Sequence, residues 1–300
     1  MKMILFFSDL DSTLIYSGYP EHTCVEYNEA KEVTYMTAQG INLLKDLLVR
    51  KDFVFIPCTL RSYEQTARID FLKNGNVPII ICDNGFSIYE NGILDKTWDN
   101  LMKENLATYP TDEIKSDIEI LVSSNNMCCK IKNNRNAFFT LIFEYAESAN
   151  MHYATVAKVL KRHKYKLELQ GRKLYIIPDF LDKVLAVKYL CKKFNPSLVI
   201  TAGDSSVDKS FVEEGNQRII PSHSSLNIRN TIITKKTGIS AGEEILDIVC
   251  EESIVFDAGN KFADIKLNYK VDQTILDELN IEYNKLYNYF GFYDAIQASD

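Results

Sequence analysis

Two aspartates, Asp9 and Asp11, stand two residues apart near the start of the chain, with Thr13 two residues further on. They directly follow residues 3–7, an apolar run of the kind that forms a buried strand. Side chains two apart on an extended segment point the same way, so both carboxylates can face one site. Two close carboxylates repel, but a divalent cation bound to one removes the repulsion and leaves the other able to exchange a proton. An ordinary acidic turn would also explain the pair.

Thr59 and Arg61 follow a second apolar run, residues 53–56. A hydroxyl at the end of a strand, entering a helix, can hydrogen-bond a phosphate oxygen beside free backbone N–H groups. Arg61 could add charge-assisted hydrogen bonds to the same anion or to another part of a substrate. A helix cap followed by a solvated arginine explains these residues equally well.

Lys183 lies at the start of a predicted helix, residues 182–194. A cation is unfavourable there because the helix dipole prefers anions at its N-terminus. That local conflict indicates that Lys183 serves a ligand or a carboxylate, although a lone lysine is usually a solvated surface residue.

Asp204 and Asp208 bring two more carboxylates, after Gly203 and the apolar run 198–201. Oxygen ligands without nearby histidines favour Mg²⁺ over zinc. The histidines show no ligand spacing and are predicted to be structural or surface residues; they are His22, His152, His163 and His223.

These four groups need elements that bring them together. The apolar runs are typical of strands buried on both faces of a parallel sheet; they cover residues 3–7, 53–56, 78–81, 198–201 and 218–220. Helical patterns lie between them, for example at residues 41–48 and 182–194. Strand–helix alternation indicates a doubly wound α/β domain, which binds ligands at the carboxyl ends of its strands.

The middle of the chain has a different pattern. It holds helical stretches near residues 111–123 and 151–163, and a hairpin of residues 165–169 and 173–177 that turns at Gly171. A tight hairpin means antiparallel strands, so we predict a second α/β domain, residues 86–177, inserted between core segments 1–85 and 178–250. We interpret the Tyr- and Glu-rich segment 16–37 as an extended flap or hairpin.

The last fifty residues, 251–300, carry apolar side chains at helical spacing: Leu276, Leu279, Tyr283, Leu286, Tyr287 and Phe290. We predict a C-terminal extension that packs on the core, with a dimerisation face as the alternative. The oligomeric state is left open.

Composition narrows the function classes. The 300 residues are 46% apolar, enough for a substantial core, and their net charge of −7 comes without a dense basic stripe. These features disfavour nucleic-acid binding, and no apolar stretch approaches a membrane span. Asp9 interrupts the apolar start too early for a signal peptide. With seven cysteines and no C-x-x-C spacing, we predict reduced thiols and a cytoplasmic location.

Taken together, the four groups resemble the four motifs of the haloacid dehalogenase superfamily over roughly residues 1–250: Asp9-x-Asp11-x-Thr13, Thr59, Lys183, and Gly203-Asp204 with Asp208. The chain most resembles the branch whose cap is inserted between the second and third motifs, where Cof-type and sucrose-phosphatase-like sugar phosphatases belong. Three segments resemble features of that branch: Thr59-Leu60-Arg61 resembles its Thr-Gly-Arg, Asp83-Asn84-Gly85 its Glu-Asn-Gly, and the run from Leu174 to Pro178 its return strand. Leu60 and Val207 depart from the pattern, replacing a glycine and an asparagine.

The resemblance implies a Rossmann-like core, an inserted cap and a Mg²⁺-dependent phosphatase for a small phosphate monoester, such as a sugar phosphate. Asp9 would be the nucleophile that forms an aspartyl-phosphate, and Asp11 the general acid and base. Asp9, the backbone carbonyl of Asp11 and Asp204 would hold Mg²⁺, with Asp208 close by. Thr59 and Lys183 would bind the transferring phosphoryl group.

Substrate would bind between core and cap. Arg61 and Asn84 are implied substrate contacts. Arg172 and Lys173, at the cap hairpin turn, are candidates for selecting the organic part, or else solvated turn residues. The acid at position 11 separates phosphatases and phosphomutases from dehalogenases and ion pumps. A phosphomutase and a catalytically silent binding or regulatory protein remain the alternatives.

Overall fold

The computed structural model describes residues 2–73 and 77–268. Its strands are β1 (Ile4–Ser8), β2 (Thr23–Asn28), β3 (Lys31–Met36), β4 (Phe53–Pro57), β5 (Ile79–Cys82), β6 (Ser87–Glu90), β7 (Ile93–Leu94), β8 (Cys129–Asn134), β9 (Phe138–Phe143), β10 (Tyr165–Gln170), β11 (Lys173–Pro178), β12 (Leu198–Ala202), β13 (Gln217–Ile220) and β14 (Ile232–Ile233). Its helices are α1 (Ala38–Leu48), α2 (Tyr63–Thr66), α3 (Asp70–Lys73), α4 (Lys96–Leu106), α5 (Thr111–Ser124), α6 (Ala146–Leu160), α7 (Lys183–Phe194), α8 (Lys209–Val212) and α9 (Ile239–Asn268).

A parallel sheet with strand order β14-β13-β12-β1-β4 forms the core. Successive side chains of a strand point to opposite faces. Phe6 of β1 accordingly joins one buried cluster, beneath α1 and α9, and Phe7 joins the other, beneath α7. Because helices cover both faces, the strands can be apolar throughout, and the predicted doubly wound α/β class is confirmed.

The predicted strand at residues 78–81 exists as β5, which lies beside the end of β4 but has most of its pairing with β6. It pairs antiparallel with β6, and a single parallel bridge between Ile81 and Cys58 links it to the end of β4. Asp83 and Asn84 adopt left-handed φ values of 53° and 58°, so the chain reverses and lays β6 beside β5. An apolar run predicts burial but does not identify the neighbouring strand.

The inserted region contains an antiparallel sheet of order β10-β11-β9-β8. The predicted hairpin is present as β10 and β11, with Gln170 opposite Lys173 at its turn. One face of this sheet packs against α5 and α6 in a separate cluster that includes Ile118, Leu141 and Val156. The sequence prediction missed β8 and β9, although the apolar run of β9, Phe-Phe-Thr-Leu-Ile-Phe, could have indicated a buried strand. β8 is largely polar, and its alternation is short.

Residues 86–106 pack with the core. Phe86, Ile88, Trp98 and Met102 belong to the buried cluster that contains Phe7 of β1. This packing favours an inserted unit that begins after α4, but the boundary placed at residue 86 remains a prediction.

The segment 16–37 contains the expected hairpin, formed by β2 and β3, with bulges on either side of Glu26. At the other end of the chain, Ile245, Leu246 and Val249 of α9 pack on the parallel sheet. The amphipathic pattern predicted between Leu276 and Phe290 lies outside the described residues. None of the helices within residues 2–73 and 77–268 has the length and apolar character to cross a bilayer.

Candidate active site

The ends of three neighbouring strands bring the predicted residues together. The N–H of Asp9, just after β1, donates to the carbonyl of Ala202 at 2.9 Å, and the N–H of Cys58 donates to Ser8 at 2.7 Å. Asp9, Thr59 and Asp204 therefore follow β1, β4 and β12 at one edge of the sheet. Parallel strands make this convergence possible, because their carboxyl ends lie on the same side.

Lys183 lies beneath this edge and is completely buried. Its Nζ donates to Asp9 Oδ1 at 2.7 Å and to Asp208 Oδ1 at 2.6 Å. Burial lowers the pKa of Lys183, but Asp208 and Asp9 outweigh that effect, so its pKa is raised and the ammonium stays charged. Asp182 caps α7 by accepting from Val184 N. The lysine thus serves carboxylates, which resolves its unfavourable position at a helix start.

Asp9, Asp204 and Asp208 form an acidic cluster, each offering one carboxylate oxygen within 4.8 Å of the others. Burial, followed by the charge of Asp208, raises the pKa of Asp9 well above its usual range. The same two effects raise the pKa of Asp204 to about 7. Because one ammonium faces three carboxylates, a divalent cation would relieve their repulsion, and hard oxygen ligands suit Mg²⁺.

The hydrogen bonds distinguish Asp208 from the other two members of this acidic cluster. Asp208 Oδ1 accepts from Lys183, while its Oδ2 accepts from Ser205 Oγ at 2.7 Å and from the N–H groups of Ser205 and Asp204 at 3.0 and 3.2 Å. No hydrogen bond from the described residues reaches Oδ2 of Asp9 or of Asp204. The residues therefore fit a cation held by Asp9 and Asp204, with Asp208 orienting Lys183 and the loop.

Asp11 lies outside the acidic cluster and pairs with Arg61. The Nε and Nη2 atoms of Arg61 donate to the two carboxylate oxygens of Asp11, both at 2.7 Å. Desolvation raises the pKa of Asp11, but the hydrogen bonds and charge of Arg61 outweigh it, so the pKa is lowered. The predicted metal contact of Asp11, through its backbone carbonyl, remains a prediction.

Thr59 and Asn84, which were predicted to bind phosphate and substrate, are both buried beside the site. Thr59 is buried, and its Oγ1 accepts from the N–H of Arg61 at 3.1 Å, leaving its own hydroxyl hydrogen to donate. Asn84 is fully buried and donates to the carbonyl of Leu181 at 3.3 Å, just before α7. In this structure Asn84 links two loops, and its proposed contact with substrate remains a prediction.

The polar face of the inserted sheet lies over the acidic loops. Gln170 donates to Ser205 Oγ at 3.1 Å, and Ser206 donates to Glu168 at 2.7 Å. Burial lowers the pKa of half-buried Lys173, and the negative charge of Asp11 offsets part of this by raising it. Arg172 instead donates to the carbonyl of Phe143 within the inserted sheet. Of the two candidates at the hairpin turn, only Lys173 faces the site.

Analysis of the sequence did not identify two residues of this region. Ser205 forms a capping box with Asp208, and the spacing Ser-x-x-Asp could have indicated it. Glu26 is fully buried and pairs with both Arg61 and Arg68. No local pattern marks Glu26, because its partners are distant in sequence.

One histidine lies in a second acidic group, on the inserted region. His163 contacts Asp117 at 2.9 Å, and Glu113 completes this group. The His163–Asp117 contact joins the start of β10 to α5, which is consistent with the structural role predicted for the histidines.

Residues 2–233 match the family model of sucrose-6F-phosphate phosphohydrolase. The chain belongs to this family. Its members are phosphoric monoester hydrolases with the haloacid dehalogenase fold, so the resemblance seen in the four motifs is confirmed. No curated protein sequence matches the chain significantly.

Solved structures share the fold of this sucrose-6F-phosphate phosphohydrolase family member. The sucrose-phosphatase of Synechocystis sp. PCC6803, in complex with sucrose and phosphate, is 16% identical, with a TM-score of 0.56 and coverage of 82% of this chain and 98% of that chain. The C-terminal domain of C. albicans trehalose-6-phosphate phosphatase is 14% identical, with a TM-score of 0.60 and coverage of 82% and 92%. A haloacid dehalogenase-like hydrolase from Bacteroides thetaiotaomicron is also 14% identical, with a TM-score of 0.54 and coverage of 83% and 100%.

Proposed function

We propose that this chain is a Mg²⁺-dependent phosphatase that hydrolyses a sugar phosphate or a related small phosphate monoester. The observation that carries this proposal is the pairing of Lys183 with Asp9 and Asp208 at the carboxyl edge of the sheet, where one Asp9 oxygen accepts no hydrogen bond from the described residues. Family membership supports the same chemistry. Similarity to a sucrose-phosphatase and a trehalose-6-phosphate phosphatase supports a sugar as the organic part.

In the first proposed step, Asp9 attacks phosphorus. A bond forms between its carboxylate oxygen and phosphorus, and the bond from phosphorus to the ester oxygen breaks. Asp11 donates a proton to the departing oxygen, which leaves as the free alcohol. Lys183 and Thr59 stabilise the negative charge of the transferring group. Bound Mg²⁺, held by Asp9 and Asp204, would neutralise charge at the reacting centre.

In the second proposed step, water attacks the phosphorus of the aspartyl-phosphate. Asp11 accepts the proton of the water, the bond between phosphorus and Asp9 breaks, and inorganic phosphate leaves. Arg61 favours the ionised form of Asp11, which suits this second step. The pair must loosen before the first step, because Asp11 then needs a proton and access to the leaving oxygen.

The test is phosphate release from a panel of sugar phosphates and other metabolites, with and without Mg²⁺. We expect turnover that requires Mg²⁺ and falls at least about 1,000-fold in Asp9→Asn, because the amide is a poor nucleophile. Asp46→Asn, the same change at an exposed position of α1, is the matched control and retains turnover. An inert wild-type protein across the panel would overturn the proposal.

A further inference from the structure

The hairpin of β2 and β3 places one acidic side chain against the proposed site. Glu26 is fully buried, and its Oε2 accepts from Nη1 of Arg61 at 2.7 Å. Its Oε1 accepts from Nε and Nη2 of Arg68 at 3.1 and 3.0 Å. Thr34 Oγ1 also donates to Oε2 at 3.1 Å. Each oxygen of this buried carboxylate is therefore bound to a guanidinium.

The backbone of β2 is irregular where it presents Glu26. The register with β3 shifts both before and after this residue, and Glu26 makes an isolated bridge to Ile69. A bulge re-aims a side chain that would otherwise follow the alternation of the strand. Here the side chain points inward, toward the loop that follows β4.

Arg61 connects Glu26 to Asp11. One edge of the guanidinium holds both oxygens of Asp11, and Nη1 holds Glu26. The two carboxylates differ in exposure: the side chain of Asp11 is 54% exposed, whereas that of Glu26 is 0% exposed. Breaking the pair with Glu26 would leave an uncompensated buried charge, whereas Asp11 can exchange Arg61 for water.

We propose that Glu26 is a positioning residue that anchors Arg61 at the mouth of the site. This inference rests on the proposed function for its kinetic consequence. When Asp11 turns from Arg61 toward the substrate, Glu26 keeps the guanidinium in place, where its remaining N–H groups face the cleft. Without this anchor, the long arginine side chain would follow Asp11 or become disordered.

The first test measures the anchor directly, without turnover. In Arg-selective ¹H–¹⁵N NMR spectra, the Nε–Hε signal of Arg61, assigned by its loss in Arg61→Lys, should be sharp and protected from exchange. Because Asp11 holds Nε in the resting structure, the comparison is made in an Asp11→Ala background, where Glu26→Gln should broaden the signal or speed its exchange with water. An unchanged Arg61 signal in a folded Asp11→Ala, Glu26→Gln protein would overturn the inference.

The second test measures kinetics on the best substrate of the phosphate-ester panel. We expect Glu26→Gln to lower kcat/KM on the order of 10-fold or more, because a small misplacement of a site residue is costly to catalysis. In the Arg61→Gln background, Glu26→Gln should add less than about 2-fold, since residues acting through one another are not additive. A full additional loss in that background would contradict action through Arg61.

Two further variants control for folding. Glu32→Gln makes the same chemical change at an exposed position of β3, where Tyr35 is the one side-chain donor to Glu32 among the described residues, and should stay within about 2-fold of wild type. Glu26→Asp keeps the charge but shortens the side chain, so it should also loosen Arg61. It replaces Glu26→Gln in both tests if Glu26→Gln does not fold. An inert wild-type protein would count against the proposed function, while the NMR result would still decide the role of Glu26.

Discussion

Each charged residue of the site is paired differently. Lys183 and Asp208 are buried together, and Asp208 also accepts from Ser205. Asp9 shares the same lysine but keeps one oxygen without a hydrogen bond from the described residues. Asp9 is therefore engaged by fewer donors than Asp208, which suits a carboxylate that must attack phosphorus.

Asp83 permits a residue-scale prediction about pH. It is 1% exposed, and its Oδ1 has no hydrogen-bond partner among the described residues. Burial raises the pKa of Asp83 from 3.8 to about 6. Between these values the unfolded chain loses its proton while the folded protein keeps it, so rising pH lowers the free energy of unfolding.

We therefore expect Asp83→Asn to gain stability relative to wild type as pH rises from about 4 to about 6, by up to about 3 kcal/mol, and to hold that gain above pH 6. Asparagine tolerates the left-handed backbone of this position. Urea unfolding of both proteins across this range measures the difference. A difference that does not change with pH would contradict a protonated, buried Asp83.

At the scale of elements, the loops after the strands set the geometry. The turn at Asp83–Gly85 reverses the chain against the residues that precede α7. Trp98 Nε1 donates to the carbonyl of Gly85 at 3.0 Å, which holds α4 on this turn. One short turn therefore couples β5, α4 and the start of the helix that carries Lys183.

Gly85 has no room for a side chain. Its φ is +91°, and a Cβ would lie 2.8 Å from the carbonyl oxygen of Asp182 and 3.0 Å from Lys183 Cα. We expect Gly85→Ala to lower the free energy of unfolding by about 2–4 kcal/mol, from backbone strain and overpacking together. Chemical denaturation measures this loss.

Gly18→Ala is the matched control for that substitution. The φ of Gly18 is a similar +84°, but nothing lies within 4 Å of its added Cβ. It should lose only the strain contribution, roughly 1–2 kcal/mol. Equal losses at both positions would show that the contact with Asp182 and Lys183 is unimportant.

At the scale of the whole molecule, the buried residues fall into separate clusters. Two of the larger clusters lie on the faces of the parallel sheet, and a third lies within the inserted region. Polar contacts join the inserted region to the core, such as Arg135 with Asp99 and Lys132 with Gln65. Phe138, Tyr175 and Ile177 of the inserted sheet also belong to the core cluster of Phe7, whereas α5 and α6 pack in the third cluster. We propose that this third cluster opens before the core does.

Trp98, the single tryptophan of the chain, reports on the core because it packs in the cluster of Phe7. We expect Leu174→Ala, in the inserted cluster, to cost about 2–5 kcal/mol locally. Hydrogen exchange of the β9 and β11 amides should accelerate, while the Trp98 fluorescence transition in denaturant moves less. Leu190→Ala, in the core cluster, should move the Trp98 transition. Equal shifts of both probes in both variants would indicate one cooperative unit.

Much of the fold and the motif residues were accessible from the sequence alone. Buried strands are marked by local apolar runs, and Asp9, Thr59, Lys183 and Asp204 follow or adjoin them. The convergence of strand ends is a property of every parallel sheet, so these residues could be placed at one edge before any contact was known. The sequence located β5 but not its antiparallel pairing, because the pairing of strands depends on the tertiary structure. It did not indicate β8, because that strand is largely polar.

The tertiary structure alone decided how the charges pair. The sequence motif sets Asp9 and Asp11 side by side, yet Asp9 bonds to Lys183 and Asp11 to Arg61. Glu26 pairs with the same Arg61, 35 residues away in sequence. Periodicity and spacing describe neighbours along the chain, whereas a buried carboxylate is stabilised by whichever cation the folded chain brings to it.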